Sequence, residues 1–223
     1  MNTPSALPRL SGPAVAPVAG GPARSLVVML HGVGADGTDL IDLATYLSPA
    51  LPHTAFVAPD APFPCDLAPY GRQWFSLQDR SPPALSIGAR AAAPILNAYI
   101  DEQLALHGLG PDRLALLGFS QGCMMALHVA PRRTPAIAGV VGYSGALADT
   151  GDLAHEVAAR PPVLLVHGDW DDVVSVEALP RAAAALKAAG LPVEAHVRPD
   201  LGHSIDAEGL ALGRDFLSRV LSG

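Results

Sequence analysis

Cysteine is almost missing from this chain: Cys65 and Cys123 are the only two among 223 residues. Two cannot build a disulfide framework, and neither stands with histidines at the close spacing of a metal site, so no resident metal is expected. Charge is also scarce, at 16% of residues, while half the residues are hydrophobic. That balance excludes disorder and supplies a large core. Basic residues are outnumbered, 14 against 21 acidic, for a net charge of −7, which argues against a nucleic-acid partner. No apolar stretch approaches the length that spans a membrane. Residues 1–22 are rich in Pro, Gly, Ser and Ala and lack the charged start and continuous apolar segment of a signal peptide. They are expected to be a mobile lead-in, with a short edge strand near residues 14–18. Cytoplasmic residence is the corresponding expectation.

What remains, residues 23–223, has the size of one α/β domain, a class that runs to roughly 250 residues in one unit. Apolar runs at 25–30, 54–58, 114–117, 137–143 and 162–167, and an alternating run at 193–198, read as strands. Between them, 39–49, 86–107, 121–129, 152–159, 176–189 and 205–221 read as helices. Strands that alternate with helices predict a mostly parallel sheet covered on both faces, with sites at the C-terminal strand edge.

One stretch carries chemistry in its spacing. Leu114–Leu117 is followed by Gly118-Phe-Ser-Gln-Gly122 and then by a good helix former. Strand, Gly-x-Ser-x-Gly and helix together make a nucleophile elbow, with small residues two before and two after the serine because the turn is crowded. Ser120 is the expected nucleophile. Serine needs a base, and His203, after the last strand and before the last helix, is expected to supply it. His31 and His167 also end strands, but each precedes a glycine in a tight turn. The base needs a carboxylate to hold its tautomer, and the loop after the 162–167 strand offers Asp169, Asp171 and Asp172. Oxyanion donors are expected from the backbone N–H of Gln121, directly after the serine, and of Val33, in the glycine-rich loop after the first strand.

Several segments now resemble one family. Leu30-His-Gly-Val-Gly34, Ala58-Pro-Asp-Ala-Pro62, Arg72-Gln-Trp-Phe75, Gly118-Phe-Ser-Gln-Gly122, His167-Gly-Asp-Trp-Asp171 and Gly202-His203 occur in order along nearly the whole chain. Together they resemble the phospholipase/carboxylesterase family of α/β-hydrolases, which includes the acyl-protein thioesterases. The resemblance implies an α/β-hydrolase fold, a triad of Ser120, Asp171 and His203, no cofactor, and a homodimer. It prefers Asp171 through the run His-Gly-x-x-Asp-x-x-Val, with Asp172 as the alternative. Ala35 ahead of Asp36 makes the first loop more similar to the bacterial carboxylesterase branch.

The activity expected is hydrolysis of small carboxylic esters with short to medium acyl chains, through an acyl-enzyme. Thioester or lysophospholipid hydrolysis would use the same triad. A binding module on a hydrolase fold is the non-enzyme alternative, disfavoured because all three triad members are present. A dinucleotide enzyme would use Gly32-Val-Gly34 and Gly37, but residues 51–55 offer no acidic residue for a ribose.

The long segment 60–83 holds five prolines as well as Phe63, Trp74 and Phe75. It is expected to form one wall of the acyl pocket, joined by Trp170. Cys123, Met124 and Met125 are expected in the core, and Arg132 and Arg133 at a solvated helix end.

Overall fold

The structure, a computed structural model, describes residues 7–149 and 151–222. Its strands are β1 (Ala14–Val15), β2 (Ser25–Leu30), β3 (Thr54–Val57), β4 (Phe63–Pro64), β5 (Arg72–Gln73), β6 (Leu114–Phe119), β7 (Gly139–Tyr143), β8 (Val163–Gly168) and β9 (Val193–Arg198). Its helices are α1 (Gly37–Ile41), α2 (Ala44–Leu47), α3 (Pro82–His107), α4 (Gln121–Val129), α5 (Leu153–Glu156), α6 (Ala178–Ala188) and α7 (Ala207–Leu221). Seven strands form one sheet in the order β1-β3-β2-β6-β7-β8-β9, and β4 and β5 form a separate ribbon. Every pairing in the large sheet is parallel except β1 on β3.

The apolar runs become central strands because both faces of the sheet are covered. Side chains alternate along β2: Leu26, Val28 and Leu30 enter one core with Leu96, Leu127 and Leu186 of α3, α4 and α6. Val27 and Met29 enter the other core, with Leu47, Phe216 and Leu217 of α2 and α7. No helix among the described residues is long and apolar enough to cross a membrane.

The boundaries depart from the sequence pattern in several places, and the helix expected over 152–159 is only the four residues of α5. Residues 1–6 of the expected lead-in lie outside the described residues. Residues 7–22 are fastened to the body: Ala14 and Val15 pair with Val57 and Phe56, and the Ser11 and Pro13 carbonyls accept from the N–H groups of Asp60 and Ala58. The helix expected over 39–49 divides into α1 and α2, because Leu43, Thr45 and Tyr46 donate three residues back, to Leu40, Asp42 and Leu43, a tighter turn than the α-helix continues. Helix α3 begins four residues early, at Pro82. Prolines fit a first turn, where the N–H they lack has no helical partner.

The strand order reverses direction after β3, so β2 and β6 lie side by side at the centre with Leu30 opposite Gly118. Their C-terminal ends face one crevice, the place where open α/β sheets hold their ligands. His31 follows β2, Ser120 follows β6, Asp171 lies just past β8 and His203 lies beyond β9.

Candidate active site

The turn from β6 to α4 holds Ser120 at φ 54°, ψ −117°, in the left-handed half of backbone space that non-glycine residues avoid. Crowding explains its flanking glycines. A Cβ on Gly118 would stand 2.4 Å from the Gly122 carbonyl oxygen, and one on Gly122 would stand 1.9 Å from that of Leu30. The strained turn lifts Ser120 Oγ off the end of the strand towards His203.

A chain of hydrogen bonds follows. Ser120 Oγ lies 3.0 Å from His203 Nε2, and His203 Nδ1 lies 2.7 Å from Asp171 Oδ2. The carboxylate can only accept, so the proton is on Nδ1 and Nε2 is left to accept from the serine. Phe119 packs its ring against the His203 imidazole, centroids 4.8 Å apart. Asp171 is itself held by its turn: Oδ1 accepts from the N–H groups of Val173 at 3.0 Å and Val174 at 2.8 Å. Burial pulls the Asp171 carboxyl upward. The hydrogen bonds from His203, Val174 and Val173 outweigh that and hold it below the usual carboxylate range. It is therefore ionised at neutral pH. Asp172 points to solvent and is exposed.

Both oxyanion candidates flank this chain. Gln121 is the first residue of α4, so no carbonyl within the helix reaches its N–H. Val33 and Ser120 line one cavity of about 180 Å³, together with Leu77, Leu85, Met124, Ala146, Val173 and Val174, and with Arg80 at its edge. Among the described residues no group of three or more His, Cys, Asp or Glu could hold a metal ion.

The expected aromatic wall is not there. None of Phe63, Trp74, Phe75 and Trp170 lines the cavity over Ser120. Trp74 is 0% exposed, its Nε1 donating to the His31 carbonyl at 3.0 Å. Phe75 is buried against α3, where a Cβ on Gly88 would stand 2.6 Å from its ring. Phe63 sits on the β4–β5 ribbon at 41% exposure, and Trp170 is 69% exposed. The segment's backbone N–H and indole groups find partners in the interior, so it folds inward. Leu77 and Arg80 are what the segment gives to the cavity, and Val33, Leu85, Met124, Ala146, Val173 and Val174 supply the rest of its lining around Ser120. Trp74→Ala is accordingly expected to destabilise the protein by roughly 3–5 kcal/mol, seen as a large fall in Tm, and to leave the ranking of ester chain lengths unchanged.

Other expectations divide. Met125 and Cys123 are core residues; burial pushes the Cys123 thiol up to about 12, which makes it inert. Met124 is mostly buried but reaches the cavity. Arg132 is not solvated. It bridges Asp149 and Glu156 and donates to the His128 carbonyl, while Arg133 pairs with Asp101. The carboxylates of Asp149 and Glu156 meet Arg132 at the end of α4.

Two histidines set aside in the sequence are part of the site's support. His167 Nε2 donates to the Val174 carbonyl at 2.8 Å and lies 3.2 Å from Asp171 Oδ2, so it steadies the turn that presents Asp171. His31 is fully buried beneath the Val33 loop. Their signal in the sequence is position alone, each at the C-terminal end of a strand.

Comparison with known proteins shows the family. A family model described as phospholipase/carboxylesterase matches residues 13–221. The chain is 41% identical to esterase PE8, whose crystal structure superposes with a TM-score of 0.91 over 96% of this chain and all of that one. It is 28% identical to esterase YpfH of Escherichia coli (strain K12) over 196 residues, 88% of this chain and 83% of that protein. It is 30% identical to acyl-protein thioesterase 1 of Kluyveromyces lactis over 168 residues, 70% of this chain and 73% of that protein. With the family's pattern running from β1 to the end of α7 on an α/β-hydrolase fold, the chain belongs to the phospholipase/carboxylesterase family and is a carboxylic ester hydrolase.

Proposed function

We propose that the protein is a serine carboxylesterase acting on small esters of short- to medium-chain acids through an acyl-enzyme, with Ser120, His203 and Asp171 as its triad. The observation that carries this reading is the unbroken contact from Ser120 Oγ through His203 to Asp171 at the edge of an apolar cavity. In the first half-reaction, Ser120 Oγ attacks the ester carbonyl carbon while its proton passes to His203 Nε2. The carbonyl oxygen becomes an oxyanion between the N–H groups of Val33 and Gln121. The imidazolium, steadied by Asp171, then gives its proton to the alkoxide, and the alcohol leaves. In the second half-reaction, water gives a proton to His203 and attacks the acyl-serine. Collapse of that adduct frees the carboxylic acid and restores Ser120.

The cavity supports the acyl preference. About 180 Å³ lies below the roughly 300–1,000 Å³ of pockets for drug-sized ligands, and its lining is aliphatic. A series of p-nitrophenyl esters from acetate to palmitate, with the matching thioesters, tests it. The expected kcat/KM peaks at short or medium length, neighbouring chains differing by at most about 1–3 kcal/mol per methylene. A steady rise to palmitate would overturn the acyl preference, and a thioester series that outranks the esters would move the substrate class. The sequence features and the family resemblance also support a cytoplasmic bacterial enzyme, a homodimer and no nucleic-acid partner.

A further inference from the structure

The loop that carries Val33 has little to hold it by itself. Gly32 and Gly34 flank Val33, and Gly34 adopts φ +83°, so rotation of the peptides around Val33 meets little steric resistance. Nevertheless three neighbours grip it. Its Gly34 N–H donates to the Arg72 carbonyl at 2.8 Å, and the Arg72 N–H returns a bond of 2.8 Å to the Ala35 carbonyl. The Trp74 indole holds the His31 carbonyl. The third grip is the His31 ring. Its Nε2 lies 2.9 Å from the Ala61 N–H, which can only donate. Nε2 must therefore accept, and the single ring proton is on Nδ1, 2.7 Å from the Gly32 carbonyl oxygen. Burial keeps this imidazole below the ordinary histidine range, against the pull of the Gly32 bond and of Asp60, Asp36 and Asp39.

The Gly32 carbonyl and the Val33 N–H belong to one peptide unit. In a planar trans peptide they point in opposite directions. An anchor on the oxygen therefore sets where the N–H points. Resting on the triad reading above, we infer that His31 is a positioning residue for the reaction: by holding the Gly32 carbonyl, it aims the Val33 N–H into the cavity at the place where the ester oxyanion forms. The other donor is tied to the same scaffold. The Gln121 side chain accepts from the Trp74 N–H at 2.9 Å and donates to the Phe75 carbonyl at 2.7 Å. The 60–75 segment thus holds both oxyanion donors from behind, which explains why Trp74 and Phe75 turn inward. Such donors accelerate the reaction only when they are oriented before the charge develops.

Two substitutions divide the ring's two bonds. In His31→Asn the amide nitrogen stands near the Nδ1 position and can still donate to Gly32. In His31→Gln the amide oxygen stands near the Nε2 position and can still accept from Ala61, but the donor to Gly32 is gone. With p-nitrophenyl acetate, His31→Gln is expected to lower kcat about 10²-fold, the lower end of the effect of removing an oxyanion donor, with KM changed less than about threefold. His31→Asn is expected to keep kcat within about tenfold of the parent. Trp74→Phe, which removes only the indole donor, is the milder companion, with kcat down by about three- to tenfold, the worth of one hydrogen bond, and the fold retained. Melting curves establish that each variant is folded at the assay temperature. A parental kcat in folded His31→Gln, or Asn losing more than Gln, overturns the inference. If neither His31 variant folds, an unaltered kcat in Trp74→Phe overturns it. A phosphonate label on the parent protein separates the two layers: no label on Ser120 defeats the triad reading, whereas a label on Ser120 with an unaltered His31→Gln defeats only the role of His31.

Discussion

Ser120→Ala is expected to lower kcat by about 10⁴ or more while Tm stays near that of the parent. Ser120 Oγ has one described side-chain partner, His203 Nε2, and it faces the cavity rather than the core. Removing it therefore takes away the nucleophile without breaking the packing under the elbow. That packing rests on Gly118, Gly122 and the strand, where the backbone approaches allow no added atom. Alanine at position 120 also has to adopt φ 54°, as serine does, so the strain of the turn is carried by both. A small loss of stability is compatible with this account; a large one is not. A phosphonate that labels the parent stoichiometrically should leave the Ala variant unmodified.

Asp171→Asn carries the second large effect, about 10⁴ in kcat. The physical reason is the proton map. With a carboxylate, His203 donates through Nδ1 to Oδ2, while His167 Nε2, 3.2 Å away, keeps its proton on the Val174 carbonyl. With an amide, Oδ1 and Nδ2 must meet three N–H donors, those of His203, Val173 and Val174. If the oxygen keeps the two backbone donors, the amide nitrogen faces His203 Nδ1 and forces the ring proton onto Nε2. Nε2 can then no longer accept from Ser120. Asp172→Asn is the control, expected to lie within about twofold of the parent, because that side chain is exposed and has no hydrogen bond among the described residues. The reverse ranking would exchange the two roles.

The legible and illegible parts of this site differ in a physical way. Ser120 is legible because an elbow is a local object: strand, tight turn and helix lie within sixteen residues, and the glycines are demanded by contacts inside that span or with the adjacent strand. His203 is legible because topology delivers the residue after β9 to the same sheet edge. Asp171 is not separable from Asp169 and Asp172 by spacing alone. The choice is made by a turn in which Val173 and Val174 donate back to one carboxylate, and only the family's His-Gly-x-x-Asp-x-x-Val run pointed to it. The central strands β2, β3, β6, β7 and β8 were readable because both faces of the sheet are buried there, so they are continuous apolar runs, whereas β9 at the edge alternates.

The 60–83 segment reaches the cavity through Leu77 and Arg80, but its aromatics were misread for an instructive reason. Prolines and aromatics on a long connection suggest an exposed wall, yet Trp74 is buried by bonds to His31 and Gln121, residues 43 and 47 positions away. Nothing in the local pattern records partners so distant. The same holds for His31 and His167, whose roles depend on which backbone carbonyl each ring faces. The short edge strand expected near residues 14–18 is present as β1, but only two residues long, because its pairing with β3 covers Ala14 and Val15 alone.

The central claim is that an acyl group passes through Ser120. The direct measurement is to mix the protein with a p-nitrophenyl ester, quench in acid within the first turnovers, and weigh the proteolytic peptides. The account predicts a burst of p-nitrophenol close to one per active site, and the acyl mass added on the peptide that contains Ser120. A peptide that stays unmodified throughout steady turnover with no burst, or an acyl mass on any other residue, would contradict it.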